Sequence, residues 1–162
     1  MKLKRLNTLL YKEKDCDVET NVGPNGVKVT IDSGKPGKTI AIRADFDALP
    51  IEEQTGLSFA SKNKGVMHAC GHDAHTAYML ILGETLIEMK EQFKGKVVII
   101  HQPAEEIPPG GAQGMIKDGV LEGVDHVLGA HVMSTMEAGK VFYKEGYVQT
   151  GRAYFKLVVQ GK

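Results

Sequence analysis

The sequence predicts an α/β domain in which helices flank a mixed, partly parallel β-sheet. Short apolar, β-branched segments alternate along the chain with segments of helical periodicity, which is the pattern of such domains. One apolar segment is continuous rather than alternating, as expected of a strand that is covered on both faces. Glycine and proline separate the segments and mark the turns between them.

Five segments are predicted to be strands, because their composition and the turn residues around them favour extended structure. The segment Lys38–Ala44 is mostly apolar, so we expect it to be buried, and Lys96–Gln102 is the continuous apolar run. The five strands are Val27–Ile31, Lys38–Ala44, Lys96–Gln102, Asp125–His131 and Arg152–Gln160.

Two segments are predicted to be helices. The longer one, Ala74–Phe93, carries apolar residues at successive spacings of 3, 4, 3 and 4, which place them in one stripe along a helix. The stripe consists of Met79, Leu82, Leu86, Met89 and Phe93. The shorter predicted helix is Ala112–Asp118.

The composition argues against several classes of protein. The 162 residues include 20 Lys and Arg and 20 Asp and Glu, a neutral balance that disfavours a nucleic-acid-binding surface. No apolar run reaches the ~18 residues of a membrane-spanning helix, and the N-terminal residues lack the apolar core of a signal peptide. Two cysteines, Cys16 and Cys70, are too few for a disulfide scaffold. We therefore expect a cytoplasmic protein without membrane or nucleic-acid partners.

A segment rich in potential metal ligands precedes the long helix. Residues 68–75 hold three histidines, a cysteine and an aspartate, and thiolate, imidazole and carboxylate groups are the ligands of zinc and related metals. Cys70 and His72 are separated by a glycine, which allows a turn tight enough to bring both side chains to one ion. For Asp73 alone, an equally good interpretation is that it caps the helix.

Two adjacent glutamates, Glu105 and Glu106, follow the continuous apolar strand. Neighbouring carboxylates repel each other, and a cation would remove that repulsion. One glutamate could then bind the metal while the other acts as general base on a water molecule. Taken by itself, the pair is more simply explained as a solvated surface feature, because glutamates are usually exposed.

Asp45 and Asp47 follow a second predicted strand, and His131 ends a third. An aspartate there could orient a ligand histidine or bridge two metal ions; equally, Arg43 could form a structural ion pair with either aspartate. A single histidine at a strand end is more often a satisfied core residue than a ligand, so His131 gains significance only from its surroundings. Because ligand sites gather beyond the carboxyl ends of strands in such sheets, we expect all these residues to meet at one edge.

The remaining signals are weaker. The glycines at positions 110, 111 and 114 lack the spacing of a nucleotide-binding loop. Cys70 could act as a nucleophile with a histidine base, although metal ligation shared with His72 is the simpler interpretation. His101, His126 and Cys16 are interpreted as structural or exposed residues.

Four motifs occur together in a specific order, namely IRADFDALPIEEQTG, GVMHACGHDAHT, HQPAEEIPPGGAQGMI and GAHV. Their order and approximate spacing resemble those of the M20-type metallopeptidases. The closer resemblance is to the amidohydrolase branch, which includes hippurate hydrolases, N-acyl-amino-acid amidohydrolases and indole-acetyl-amino-acid hydrolases. The motif MHACGHDAHT is very specific, and the resemblance covers about residues 20–162.

The resemblance implies a metal-dependent hydrolase that cleaves the amide bond of N-acyl amino acids or short peptides with one or two divalent ions (Zn, Mn, Co or Ni). It implies that Glu105 is the general base and that Asp45 is an acidic catalytic-site residue, with Asp47 the neighbouring candidate. The implied metal ligands are Cys70, His72, Glu106 and His131.

The resemblance also implies that a zinc-exopeptidase-like catalytic domain is incomplete here. Residues 1–150 match its first half, and residues 151–162 match the start of an inserted dimerisation (lid) domain, through which a full-length form would be a homodimer. Four of five expected protein ligands are present, and the last histidine ligand lies outside the sequence. The alternative is a truncated, non-catalytic remnant that binds metal weakly or acts through a partner chain.

Overall fold

The sheet has five strands in the order β1-β2-β4-β3-β5 in a computed structural model that describes residues 10–149, 151, 153 and 155–161. The strands are β1 (Asp17–Val22), β2 (Gly26–Asp32), β3 (Thr39–Asp45), β4 (Lys96–Gln102) and β5 (His126–Gly129). The helical elements that lie wholly within the described residues are α1 (His72–Glu88), α2 (Gly111–Lys117) and a 3-10 turn at Lys90–Gln92.

The sheet is mixed, which confirms the predicted fold class. Strand β1 pairs antiparallel with β2, and β2 pairs antiparallel with β4. Strand β3 pairs parallel with β4 on one side and with β5 on the other. Because β3, β4 and β5 run in the same direction, their carboxyl ends meet at one edge of the sheet.

The hydrophobic core lies on both faces of the sheet. On one face, Ile99 of β4 packs in a cluster with Met79 of α1. On the other face, Val98 and Ile100 of the same strand pack in a second cluster with Met115 of α2. Strand β4 is therefore buried on both sides, as its continuous apolar sequence predicts.

Most predicted elements form within one residue of their predicted bounds, including β2, β3, β4 and α2. The long helix differs, because it begins at His72 and ends at Glu88 instead of spanning Ala74–Phe93. Met89 therefore caps the helix and is 40% exposed rather than part of the buried stripe. The chain turns back at Gly95, which has a φ of +82°, in order to enter β4.

Strand β1 is absent from the sequence prediction. Its residues are mostly exposed and include acidic and polar side chains, because it lies at the edge of the sheet and pairs with β2 alone. Edge strands commonly carry such residues, which hide the apolar alternation on which strand prediction depends.

The predicted strand Arg152–Gln160 does not form in the described part of that segment. Residues 155–161 have no regular structure and are exposed, while Arg152 and Tyr154 lie outside the described residues. A strand needs a neighbour for its backbone hydrogen bonds, and no described strand lies beside this segment. The predicted strand at Asp125–His131 is real but shorter, covering His126–Gly129.

None of the helices among the described residues is both long enough and apolar enough to cross a membrane. The predicted boundary between the two domains falls at residues 150 and 151, and Thr150 lies outside the described residues.

Candidate metal centre

The predicted site residues come from four segments that meet at the carboxyl edge of the parallel strands. Asp45 is the last residue of β3, and His72 is the first residue of α1. Glu105 and Glu106 follow β4, and His131 lies two residues beyond β5. The structure thus brings these side chains to one edge, as the strand ends predict.

A tight turn at Gly71 joins two of the predicted ligands, Cys70 and His72. Gly71 has a φ of +78°, in the left-handed region that favours glycine. A Cβ atom at this position would lie 2.3 Å from Cγ2 of Val132, so the glycine also lets the loop that carries His131 approach. Asp73 is not the N-cap of α1; Gly71 is, and the Asp73 carboxylate only accepts a hydrogen bond from the Ala74 amide.

The four predicted metal ligands, together with Glu105, fall into two groups that overlap at His72. Nε2 of His131 lies 3.5 Å from Sγ of Cys70. One ligand atom from each of Cys70, His72 and His131 lies within 4.8 Å of the others, and the same holds for His72 with Glu105 and Glu106. His72 belongs to both groups, so it stands at the centre of the cluster.

His72 is buried without a hydrogen-bond partner among the described residues. Its side chain is 1% exposed, and neither ring nitrogen makes a hydrogen bond, although Nδ1 lies 3.3 Å from Oδ1 of Asp47 and Nε2 lies 3.9 Å from Oε1 of Glu106. Unsatisfied buried nitrogens are costly and rare. A divalent cation on this ring would satisfy one of them, so the residues present fit a metal ion.

The thiol of Cys70 also fits a cation better than a free nucleophile. Burial, followed by the nearby Glu106 and Glu105 carboxylates, raises the pKa of Cys70 to about 11. A thiolate is the reactive and metal-binding form of cysteine, so this cysteine needs a positive neighbour to ionise at neutral pH. This weakens the thiol-nucleophile interpretation and favours metal ligation.

Asp47 links two of the ligand-bearing segments. Its Oδ2 accepts a hydrogen bond of 3.1 Å from the backbone amide of Glu106, while its Oδ1 faces His72. Asp47 therefore ties the loop after β4 to the residues that follow β3, and it places a carboxylate oxygen beside His72.

Asp45 is a buried, ionised group, and its Oδ1 lies 3.6 Å from Nε2 of His72. Its side chain is 1% exposed and pairs with Nη1 of Arg43 at 2.7 Å, which is the ion pair that the sequence left open. Burial raises the pKa of Asp45, but the hydrogen bond from His75 and the charge of Arg43 outweigh it and hold the pKa below its usual value. Asp45 does not line the pocket described next.

An open pocket of about 550 Å³ adjoins the cluster. This volume is in the range of small-molecule sites. Its lining residues are Cys70, Glu105, Glu106, His131, Val148, Gln149 and Gly151.

A model of peptidase family M20/M25/M40 matches residues 41–154, which is most of the chain and all of the cluster. The chain belongs to this family.

Two curated relatives illustrate the family. The chain is 47% identical over 148 residues to thermostable carboxypeptidase 1 of Saccharolobus solfataricus, covering 90% of this chain and 38% of the relative. It is 44% identical over 128 residues to the N-acyl-L-amino acid amidohydrolase of Geobacillus stearothermophilus, covering 79% of this chain and 35% of the relative. The chain therefore spans little more than a third of the length of these M20 proteins.

Solved structures agree with the fold. A crystal structure from methicillin-resistant Staphylococcus aureus is 75% identical, with a TM-score of 0.87, over 88% of this chain and 37% of that chain. A dinuclear metal-binding peptidase of the M20 family from Bacillus subtilis is 42% identical, with a TM-score of 0.75, over 80% of this chain and 36% of that chain. The mixed sheet with helices is thus the fold of the corresponding part of these two structures.

Two residues of α1 near the cluster lie outside the predicted set of four ligands. His75 was considered only as one of the three histidines in residues 68–75, and Tyr78 received no role. Both lie on α1 and make hydrogen bonds to the loop after β5. Their spacing of three along the helix from His72 to His75 to Tyr78 was the available signal. The loop they contact is more than 50 residues away in sequence, and nothing in a single sequence reports that pairing.

The three residues that the sequence analysis interprets as structural or exposed are His101, His126 and Cys16. His101 is completely buried on β4, with its ring centroid 5.9 Å from that of Tyr11. His126 is exposed and its Nε2 lies 3.1 Å from Nζ of Lys38. Cys16 is a half-buried free cysteine.

Proposed function

We propose that the protein carrying this chain is a metal-dependent amidohydrolase that cleaves the amide bond of N-acyl amino acids or short peptides. The observation that carries the proposal is the buried His72, whose nitrogens have no hydrogen-bond partner among the described residues and face carboxylates beside an open pocket. Relatives named as an N-acyl-L-amino acid amidohydrolase and a carboxypeptidase support this substrate class.

Four side chains would hold one or two divalent ions, of which Zn, Mn, Co and Ni are the candidates. A thiolate, two imidazoles and a carboxylate suit these metals rather than Mg or Ca. The metal, when bound, polarises the substrate carbonyl and lowers the pKa of an adjacent water molecule. The four ligands are Cys70, His72, Glu106 and His131.

Glu105 is proposed as the general base. It lines the pocket beside Glu106, so one carboxylate of the pair is free to act on a water molecule while the other binds metal. Glu105 accepts the proton of the attacking water and returns it to the amine that leaves. Asp47 supports this arrangement because its hydrogen bond to the Glu106 amide holds the glutamate loop in place.

The test is an assay of the full-length protein with N-acyl amino acids and dipeptides, before and after chelation and after addition of Mn²⁺, Zn²⁺, Co²⁺ or Ni²⁺. Activity should disappear on chelation and return with metal. Activity that survives complete metal removal would instead support Cys70 as a nucleophile. No turnover with any substrate and metal would favour the non-catalytic alternative.

A substitution of the base separates catalysis from metal binding. Glu105→Gln should lower kcat at least ~100-fold, since general bases contribute at least this much, while the bound metal measured by elemental analysis stays at the wild-type level. Loss of metal from this variant would show that Glu105 is a ligand instead. Glu106→Gln is the matched control, and it should lose metal.

We also propose a cytoplasmic location and a homodimer formed through a lid domain. The two free cysteines are compatible with a reducing compartment. Light scattering on the full-length protein tests the dimer, because a monomer mass would contradict it.

A further inference from the structure

The loop that carries His131 is tied to α1 at two points. The backbone amide of Val132 donates a hydrogen bond of 3.0 Å to Nε2 of His75. The hydroxyl of Tyr78 donates a hydrogen bond of 2.7 Å to the carbonyl of Ala130. These two hydrogen bonds hold the residues immediately before and after His131. We call His75 and Tyr78 the clamp.

The contacts of His75 define its protonation state. Nδ1 lies 2.6 Å from Oδ1 of Asp45, and a carboxylate can only accept, so Nδ1 carries a proton. A backbone amide can only donate, so Nε2, which faces Val132, carries none. Both nitrogens of His75 are therefore engaged, and it is not free to bind metal although it lies within ligand distance of Asp45 and His72.

Polar contacts connect the clamp to the sheet. Asp45 is held by Arg43, whose Nε donates a hydrogen bond of 2.8 Å to Oε1 of Gln102 on the neighbouring strand. His75 is completely buried in the first turns of α1. A chain of polar contacts through His75 and Asp45 thus connects the Val132 amide to β3 and β4, which are central strands of the sheet.

The same loop residue orients the ring of His131. Nδ1 of His131 donates a hydrogen bond of 2.6 Å to the carbonyl of Val132, which leaves Nε2 unprotonated and directed at Cys70. The His75 and His131 rings also pack edge to face, with centroids 4.5 Å apart. Hydrogen bonds thus run from Asp45 through His75 and Val132 to the ring that would bind metal.

We propose that His75 and Tyr78 are positioning residues that hold His131 in its metal-binding orientation. The proposal rests on the metal site given under Proposed function. The loop needs such support because β5 ends at Gly129, and residues 130–132 are exposed and form no regular structure. A ligand on an unsupported loop loses conformational freedom when it binds, which weakens binding.

The test measures Co²⁺ affinity of the full-length protein by calorimetry, together with the thiolate-to-cobalt absorption band from Cys70. His75→Phe and Tyr78→Phe remove the clamp bonds, and each should weaken Co²⁺ binding by about 10- to 100-fold, the usual cost of losing a group that orients a ligand. His75→Gln is the rescue variant, because its amide can donate and accept as His75 does, and it should recover part of the affinity even where His75→Phe folds poorly. Tyr11→Phe is the matched control, since Tyr11 also donates a hydroxyl hydrogen bond to α1, at Met79, but far from His131.

A double-mutant cycle separates positioning from general stabilisation. In a His131→Ala background, His75→Phe and Tyr78→Phe should cause no further loss of Co²⁺ affinity, although each still lowers the melting temperature. Clamp variants that bind Co²⁺ as the wild type does, or that lose the same factor without His131, would overturn the clamp alone. Wild-type affinity in His131→Ala itself would overturn the metal site, and the clamp with it.

Discussion

The two histidines of the candidate metal centre are held in opposite ways. His72 begins α1 and is buried under the helix, next to carboxylates from two strand ends. His131 is exposed on an irregular loop, whose backbone forms hydrogen bonds with two side chains of α1. The packing of the domain thus holds His72, whereas a few polar contacts hold the loop of His131. Substitutions of His72 and of His131 should therefore differ in their effects on metal affinity and on stability.

The largest effect is expected at His72. His72→Leu should weaken metal binding by more than ~100-fold, beyond the usual cost of changing a supporting group, because the central ligand is lost. The metal-free variant should be at least as stable as the metal-free wild type, since the change removes buried nitrogens that lack hydrogen bonds.

Calorimetric metal titration and urea unfolding of the metal-free proteins check this prediction. His131→Ala is the matched comparison on the exposed side, with a smaller loss of affinity and little change in stability. A metal-free His72→Leu protein that is strongly destabilised would mean that His72 has a structural partner after all.

The next effect concerns His101, in the packed region beneath α1. Burial lowers the pKa of His101 from 6.5 to about 4, so the folded protein holds the neutral ring and the unfolded chain takes up the proton more readily. The stability contributed by the neutral ring is complete above pH 6.5 and is lost as the pH falls from 6.5 towards 4. The loss amounts to at most about 3 kcal/mol.

His101→Phe should remove this part of the pH dependence of the unfolding free energy, measured by urea denaturation between pH 4 and pH 8. Ile99→Val is the control on the same face of β4, because it has no titratable group and should lower stability by a similar amount at every pH. An unchanged pH profile in His101→Phe would show that the buried ring does not carry the effect.

The smallest effect is expected at Gly71, which lies next to His72 and packs against Val132 in the loop of His131. Gly71→Ala places a side chain at a φ of +78° and against Val132, and the left-handed backbone alone should cost about 1–2 kcal/mol of stability. Displacement of Val132 should also weaken metal binding through His131.

The variant pair Gly71→Ala and Gly71→Ala/Val132→Ala separates the two causes. Shortening Val132 relieves the contact but leaves the backbone strain, so metal affinity should recover while the melting temperature stays low. Recovery of both properties would show that the contact with Val132 accounts for the whole effect.

The pattern of apolar residues predicted most of the strands and helices, whereas contacts between distant segments could not be predicted from the sequence. Strand β4 could be predicted because burial on both faces demands a continuous apolar run. Strand β1 could not, since it pairs on one side only and exposes most of its residues. Met89 has the spacing of the apolar stripe, but α1 ends before it, so its side chain is exposed.

The location of a site residue could be predicted from the sequence when that residue follows the end of a predicted strand. Chain direction and sheet order bring Glu106 and His131 to the edge where Cys70 and His72 lie, and their roles as metal ligands remain predictions. Spacing along α1 could indicate His75 itself but not its partners Asp45 and Val132, because those hydrogen bonds depend on how α1 packs over the sheet. For Asp73, the interpretation as a helix cap was wrong. Aspartate is a common N-cap residue, but the turn before α1 places Gly71 at the N-cap position.

The position of β5 has a consequence for the order in which the molecule comes apart. This strand has four residues, all exposed, and lies at the edge of the described sheet with β3 as its neighbour. Short exposed edge elements open at lower free energy than the core that supports them. Amide protons of β5 should therefore exchange with solvent before those of β3 and β4. Such local opening would free the proposed ligand His131 while Cys70, His72 and Glu106 stay in place, so a cation bound at the proposed site would be released before the cooperative unfolding of the domain.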